Sequence, residues 1–232
     1  MKEQKDEHRK YYNKSGEEVP SCTTIVKLLD KPELVKWANY MGFKRINTTK
    51  LLESKAEYGT YCHKQVESYF NDGLISAKSN SDVVKKSEYR DIIYKIKIID
   101  LYFQKLGIEV IRTELPIEGN EYGGTLDMLC YNRTKDCLMV FDVKTSKQVY
   151  QSHWVQIMGY CQLLEEKYNL HVDEIGVLLL SKPINSPELI NIKPTKDCWR
   201  EMYVFNALKE LYYYLNAPEE LIDKRMKENY HE

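Results

Sequence analysis

Gly123-Gly124-Thr125-Leu126-Asp127, then Val140-Phe141-Asp142-Val143-Lys144-Thr145-Ser146, then Gln156-Ile157-Met158-Gly159-Tyr160 is the stretch on which the reading of this chain turns. Cys137-Leu138-Met139-Val140-Phe141 is a short apolar run rich in strand formers, and it predicts a buried strand. The run Tyr122 to Tyr131 predicts a second strand, and the polar segment Asn132-Arg133-Thr134-Lys135-Asp136 between them predicts a hairpin turn. Successive side chains on a strand point to opposite faces. Asp142 and Lys144 therefore share one face, while Val143 points into the core. Antiparallel pairing of the two strands would set Asp127 beside Asp142.

Two carboxylates supply hard oxygen ligands for a divalent cation. A lysine next to them can orient or deprotonate an attacking water and offset charge building on a phosphate. Taken singly, these features are bland: Asp-x-Lys is common at solvated strand edges, Gly-Gly is usually a turn, and Gln-x-x-x-Tyr is usually one face of a helix. Their order carries the information, with the acid at the end of an apolar strand and a helix directly after it. That helix is predicted over Tyr150 to Tyr168, where Trp154, Ile157, Met158, Cys161, Leu163 and Leu164 form an apolar stripe. Gln156 and Tyr160, four residues apart, stack on one side of it.

With these residues in place, the segment resembles the PD-(D/E)XK nuclease superfamily, in particular its RecB-type and phage-exonuclease branch. Gly124 and Asp127 stand one residue further apart than in the tightest form of that pattern. Asp142 and Lys144 fill its second part, Gln156 and Tyr160 its third. The resemblance implies an upstream helix carrying a histidine, and Tyr58-Gly59-Thr60-Tyr61-Cys62-His63-Lys64-Gln65-Val66-Glu67 looks like it, on a helix predicted from Thr49 to Phe70. The front segment is similar to the amino-terminal region of phage-type members: Pro20-Ser21-Cys22-Thr23-Thr24-Ile25, then Pro32 to Ala38 with Trp37, then Gly42.

The resemblance implies an α/β, restriction-endonuclease-like core: a small mixed central β-sheet flanked by helices, with helical amino-terminal elements walling a cleft. It further implies that Asp127, Asp142, the carbonyl of Val143 and His63 bind one or two Mg²⁺ or Mn²⁺ ions, and that Lys144, Gln156 and Tyr160 assist hydrolysis. Glu67, one turn on from His63, and Glu114, on a predicted strand Ile108 to Ile117, are secondary acids. Thr145, Ser146 and Lys147 would contact a DNA backbone phosphate. The activity implied is a metal-dependent DNA exonuclease of phage-type recombination, replication or repair, working on single strands from free ends. An endonuclease or CRISPR-adaptation-like nuclease, and a non-catalytic DNA-binding subunit, are the alternatives. Such a subunit would ordinarily have lost the second Asp or the Lys, and both are retained. The partners expected are DNA and a recombination or replication protein, with oligomeric state left open by ring-forming relatives.

Composition bounds this further. A chain of 232 residues suits one domain with a substantial core. Residues 1–106 read as a mainly helical part, 107–215 as the core with its closing helix, and 216–232 as a charged tail. No apolar run approaches 18 residues, which argues against a membrane span, and the charged first ten residues lack a signal peptide's apolar centre. An intracellular, cytoplasmic location is therefore expected, in keeping with a phage gene in a bacterial host. The six cysteines are scattered without a Cys-x-x-Cys pair, and only Cys198 lies in the last third, so neither disulfides nor an iron–sulfur cluster is expected. With 34 basic against 35 acidic residues the net charge is −1, so nucleic-acid contact must come from a local patch.

Other elements are predicted as follows: a hairpin over Tyr11 to Pro20, a helix over Ser21 to Leu29, and a helix opened by Pro32 and stopped by Gly42. A loop is predicted over residues 71–81 and a helix over Val83 to Leu106. Strands follow at Glu174 to Ser181 and Glu188 to Ile192, then a helix over Asp197 to Leu215 and a tail helix over Glu219 to Glu232.

Overall fold

A computed structural model of the chain describes residues 9–29, 32–73 and 86–216. It opens on a small hairpin, β1 (Tyr11–Tyr12) and β2 (Glu18–Val19), turned at Asn13 to Gly16, followed by α1 (Cys22–Val26), α2 (Pro32–Phe43), α3 (Thr48–Asp72) and α4 (Lys86–Leu106). Strands β3 (Ile108–Glu118), β4 (Gly123–Asn132) and β5 (Cys137–Lys144) lead into α5 (Gln151–Tyr168), then β6 (Glu174–Leu179), β7 (Ile190–Pro194) and α6 (Trp199–Asn216). The central sheet runs in sequence order from β3 to β7, antiparallel throughout except for the parallel β5–β6 pair, which α5 connects. It is a mixed five-stranded sheet between helical layers, consistent with a restriction-endonuclease-like core.

The period-2 pattern builds those layers. Val140, Ile175 and Val177 pack on one face with Cys22 and Ile25 of α1, Ile157 and Leu163 of α5, and Phe205 of α6. Met139, Phe141, Val143 and Leu178 pack on the other with Cys62 and Val66 of α3 and with Ile92, Ile96 and Phe103 of α4. A fully buried aromatic such as Phe141 contributes about 1.5–3 kcal/mol relative to an exposed one.

One irregularity positions everything that follows. The β4–β5 ladder ends at Met128 opposite Phe141, so Asp127 and Asp142 stand where the two strands part. Across on β3, Thr113 pairs with Met128 and Leu115 with Leu126, and between them Glu114 takes a left-handed conformation at φ 47°. On β4 the alternation changes phase at this point: Met128 and Cys130 face α3 and α4, and Leu126 faces α5. On β3 the register shifts earlier, between Val110 and Arg112.

Several sequence expectations shift. Gly42 does not stop α2, which runs on to Phe43. The chain leaves that helix through Arg45 at φ 56° and restarts where Asn47 caps α3. Glycine inside a helix costs only about 1 kcal/mol and need not end it. Helix α3 continues through Asp72 to a left-handed Gly73, so the predicted loop begins later than residue 71. Helix α1 ends at Val26, short of Leu29. The strand predicted over Glu188 to Ile192 is divided. Ser186 caps a 3-10 turn, Pro187–Leu189, because a proline that follows a capping serine starts a helical turn, and β7 begins at Ile190. The tail helix over Glu219 to Glu232, most of the predicted loop and the start of the Val83 helix lie outside the described residues.

Candidate metal centre

Helix α3, strands β3 to β5 and helix α5 converge on the strand fork. Asp127 is buried at 8% exposure. Its Oδ2 accepts the Val143 N–H at 2.6 Å, and its Oδ1 lies 3.4 Å from Nδ1 of His63. Glu114 Oε1 lies 3.5 Å from the same nitrogen. One ligand atom each from His63, Glu114 and Asp127 lies within 4.8 Å of the others, so these three residues could hold a metal ion. Adjacent ligands around an octahedral ion at Mg²⁺ distances stand about 3.0 Å apart, and around a larger cation about 3.4 Å. The two spacings to the imidazole nitrogen lie within a few tenths of an ångström of these values, and the three ligand atoms within 4.8 Å of one another. Two carboxylates and an imidazole suit Mg²⁺, Mn²⁺ or a similar divalent ion.

Glu114 enters this cluster because of its backbone. A left-handed conformation costs a non-glycine residue about 1–2 kcal/mol. Here it stands across from Asp127 at the change of phase, with its carboxylate at the imidazole. Glu67, one turn after His63 on α3, is half-buried; burial and then the charge of Glu114 raise its carboxyl pKa.

The second half of the centre lies on the α5 side. Asp142 is 1% exposed, and the Lys144 ammonium sits 2.8 Å from its Oδ1 and 2.7 Å from its Oδ2. Only the Oδ1 contact has hydrogen-bond geometry. Among the described residues Oδ2 accepts no hydrogen bond, leaving one buried anionic oxygen with capacity for a further ligand. Lys144 also donates to Gln156 Oε1 at 3.3 Å; the Gln156 amide donates to the Tyr160 hydroxyl at 2.7 Å and to Thr23 Oγ1 at 3.2 Å. Gly123 and Gly124 are the first residues of β4, and the reason for them is space. A Cβ on Gly123 would meet the Tyr11 ring at 2.5 Å, and one on Gly124 the Tyr160 ring at 2.6 Å.

Electrostatics divides the two acids. Burial alone would raise Asp127, but the His63 charge, its hydrogen bond and Lys144 outweigh it, and the carboxyl is held low. Burial dominates at Asp142, aided by repulsion from Asp127, so its pKa is raised in spite of Lys144. Burial would lower His63, but Asp127 and Glu114 more than reverse that, pushing it up to about 10. Lys144 follows the same logic: desolvation lowers it, Asp142 and Asp127 raise it, and the net shift is upward.

The structure therefore draws together His63, Glu114, Asp127, Asp142, Lys144, Gln156 and Tyr160. Val143, expected to lend its carbonyl, is tied to Asp127 through its N–H. Thr145 lies against α3, its Oγ1 3.6 Å from where a Cβ on Gly59 would be. Ser146 is bound into its own loop, its hydroxyl donating to the Gln148 carbonyl at 2.9 Å, and Lys147 is exposed. Thr23 and Tyr11 were not singled out from the sequence. Tyr11 reaches Thr125 Oγ1 at 2.8 Å, two residues before Asp127. The only sequence hint of Thr23 is its place in the front segment, Pro20 to Ile25.

No family model and no curated protein matches this chain. Among solved structures it is similar to a phage related exonuclease from Haemophilus somnus 129PT, at 13% identity over 89% of this chain and 96% of that one, with a TM-score of 0.35. It is also similar to SSO0001, at 14% identity over 68% of this chain and 81% of that one, with a TM-score of 0.27. At such values neither likeness bears on residues or chemistry. Among the described residues no helix is long and apolar enough to cross a membrane.

Proposed function

We propose that this chain is a divalent-metal-dependent nuclease that hydrolyses DNA phosphodiester bonds, acting as an exonuclease on single strands from free ends. The observation that carries this reading is the meeting of His63, Glu114 and Asp127 with the buried Asp142–Lys144 pair at one strand fork. A cation-binding cluster beside a lysine held at a fixed position supplies the charge neutralisation and water positioning that phosphodiester hydrolysis uses. His63, Glu114 and Asp127 would hold the cation, with Asp142 Oδ2, which accepts no hydrogen bond but lies against the Lys144 ammonium, as a further ligand. When bound, Mg²⁺ or Mn²⁺ supplies charge neutralisation at the phosphate and lowers the pKa of water.

The protein groups do the rest. Lys144, fixed between Asp142 and Gln156, orients the attacking water and offsets negative charge developing on the phosphate. Tyr160 and Thr23 lock the Gln156 amide so that its carbonyl oxygen stays on Lys144. Thr145, Ser146 and Lys147, at the exit of β5, would meet the adjoining backbone phosphate.

The test is digestion of end-labelled linear and circular DNA, single- and double-stranded, with Mg²⁺, Mn²⁺ or EDTA. Metal-dependent shortening of linear strands, lost in Asp127→Ala and Asp142→Ala, is expected. Cleavage of circles would replace the exonuclease reading with an endonuclease. Absence of cleavage on every substrate, with Asp142→Ala indistinguishable from the unaltered chain, would leave a binding subunit.

A further inference from the structure

Helix α2 and the first half of α3 form an arm whose surface the metal centre does not use. Among the described elements, α2 packs chiefly against α3. Phe43, at the end of α2, is 90% exposed and Tyr40 54%. Along α2 and the first half of α3, Lys36, Lys44, Arg45, Lys50 and Lys55 outnumber Glu33, Glu53 and Glu57 by two, although the whole chain has a net charge of −1. Two of the cations lie on the same side as rings: the Lys44 ammonium is 4.5 Å from the centre of the Tyr40 ring, and that of Lys55 is 5.4 Å from that of Trp37.

This surface is continuous with the cleft. Gly59 of α3 meets Thr145 at the exit of β5, one turn before His63. Lys55 lies one turn earlier on the same face of α3 and reaches Trp37 of α2. The start of α3 is about 22 Å from His63 at 1.5 Å per residue.

We infer that the arm is a docking surface for single-stranded nucleic acid, with Phe43 and Tyr40 stacking on unpaired bases while Lys44 and Lys55 hold phosphates. The inference rests on reading the cleft as a phosphodiester-cleaving site. Exposed rings interleaved with cations match a strand whose bases are splayed, because only an unstacked base offers its face. A duplex hides those faces. A lipid surface fits poorly, since an interfacial helix places its cations opposite its apolar side and here they share one. A second copy of the chain would bring two positively charged arms together.

The test uses the full chain in EDTA, so that nothing is cut, and fluorescence anisotropy of a labelled oligothymidylate, a duplex of equal length and phosphatidylserine vesicles as competitor. The strand is expected to bind more tightly than the duplex and to quench tryptophan fluorescence. Phe43→Ala with Tyr40→Ala should weaken strand binding roughly ten-fold or more, with far-UV circular dichroism unchanged because both rings are exposed. Lys44→Gln with Lys55→Gln should flatten the dependence of log affinity on log salt by about 1.4, two phosphates at about 0.7 each. Unchanged strand affinity in the aromatic variant overturns the inference, as does displacement by vesicles alone. So does a change of oligomeric state in that variant with strand binding intact. Strand binding that depends on the arm without any metal-dependent cleavage refutes the nuclease reading and leaves the arm. Cleavage that needs Asp127 but is indifferent to the arm variants refutes the arm alone.

Discussion

Gly124→Ala isolates the reasoning about close approach. The backbone at Gly124 is not left-handed, so alanine there would ordinarily stabilise the chain by about 0.4–1 kcal/mol by restricting the unfolded state. The structure reverses that sign. The new methyl would lie 2.6 Å from Cε1 and 3.1 Å from Cδ1 of Tyr160, a ring 3% exposed whose hydroxyl is fixed by Gln156. Overpacking against such a ring costs about 1–3 kcal/mol. A net loss near 1 kcal/mol lowers the melting temperature of a chain this size by roughly 2–4 °C. The decisive measurement is a double-mutant cycle by urea unfolding. In a Tyr160→Ala background the clash is gone, so Gly124→Ala should become neutral or stabilising, with a coupling of about 2 kcal/mol. If Gly124→Ala stabilises the unaltered chain, or costs the same in both backgrounds, the account of the Gly-Gly pair is wrong.

Adding Mg²⁺ or Mn²⁺ should raise the melting temperature, by about 2.7 kcal/mol of stability at a hundred times the dissociation constant, and Asp127→Asn or Glu114→Gln should abolish the shift in a thermal titration. In EDTA, His63 has a folded pKa raised to about 10, so its contribution is fully present below about pH 6.5 and is lost as pH rises towards 10. Urea midpoints of the metal-free chain should therefore fall over that window, and His63→Asn should remove the slope. Lys144→Met should reduce kcat by about 10²–10³-fold or more while circular dichroism keeps its folded signature; near-normal turnover would remove Lys144 from the chemistry. Lys95, 4% exposed, donates to the Leu180 carbonyl at 2.8 Å and pairs with the half-exposed Asp91 at 2.6 Å. Lys95→Met should cost about 1–2 kcal/mol, read by urea unfolding, since Asp91 keeps its water.

The sequence revealed most where local and tertiary preferences agree. The apolar run ending at Phe141, the polar turn after Asn132 and the stripe on α5 each specify one conformation, and the β4–β5 hairpin, Asp142, Lys144 and Gln156 all lie where that pattern puts them. Glu114 was legible as a strand acid but not as a member of the His63 cluster, because its left-handed backbone is set by the strands on either side rather than by glutamate. Gly42 misled because a glycine's local preference weighs less than the continuity of a helix. Thr23 and Tyr11 reach the centre across more than a hundred residues of chain, and no periodicity marks such contacts.

Cation-binding groups and the lysine half of the centre stand on separate foundations: His63 rides on the α3–α4 core, Gln156 and Tyr160 on the α1–α5–α6 core, and the sheet lies between. Heat or a core substitution that loosens the first layer would therefore silence the protein while the second stays ordered. Amide hydrogen exchange would register such a protein as half alive, with α3 and α4 opening at a lower free energy than α5 and α6.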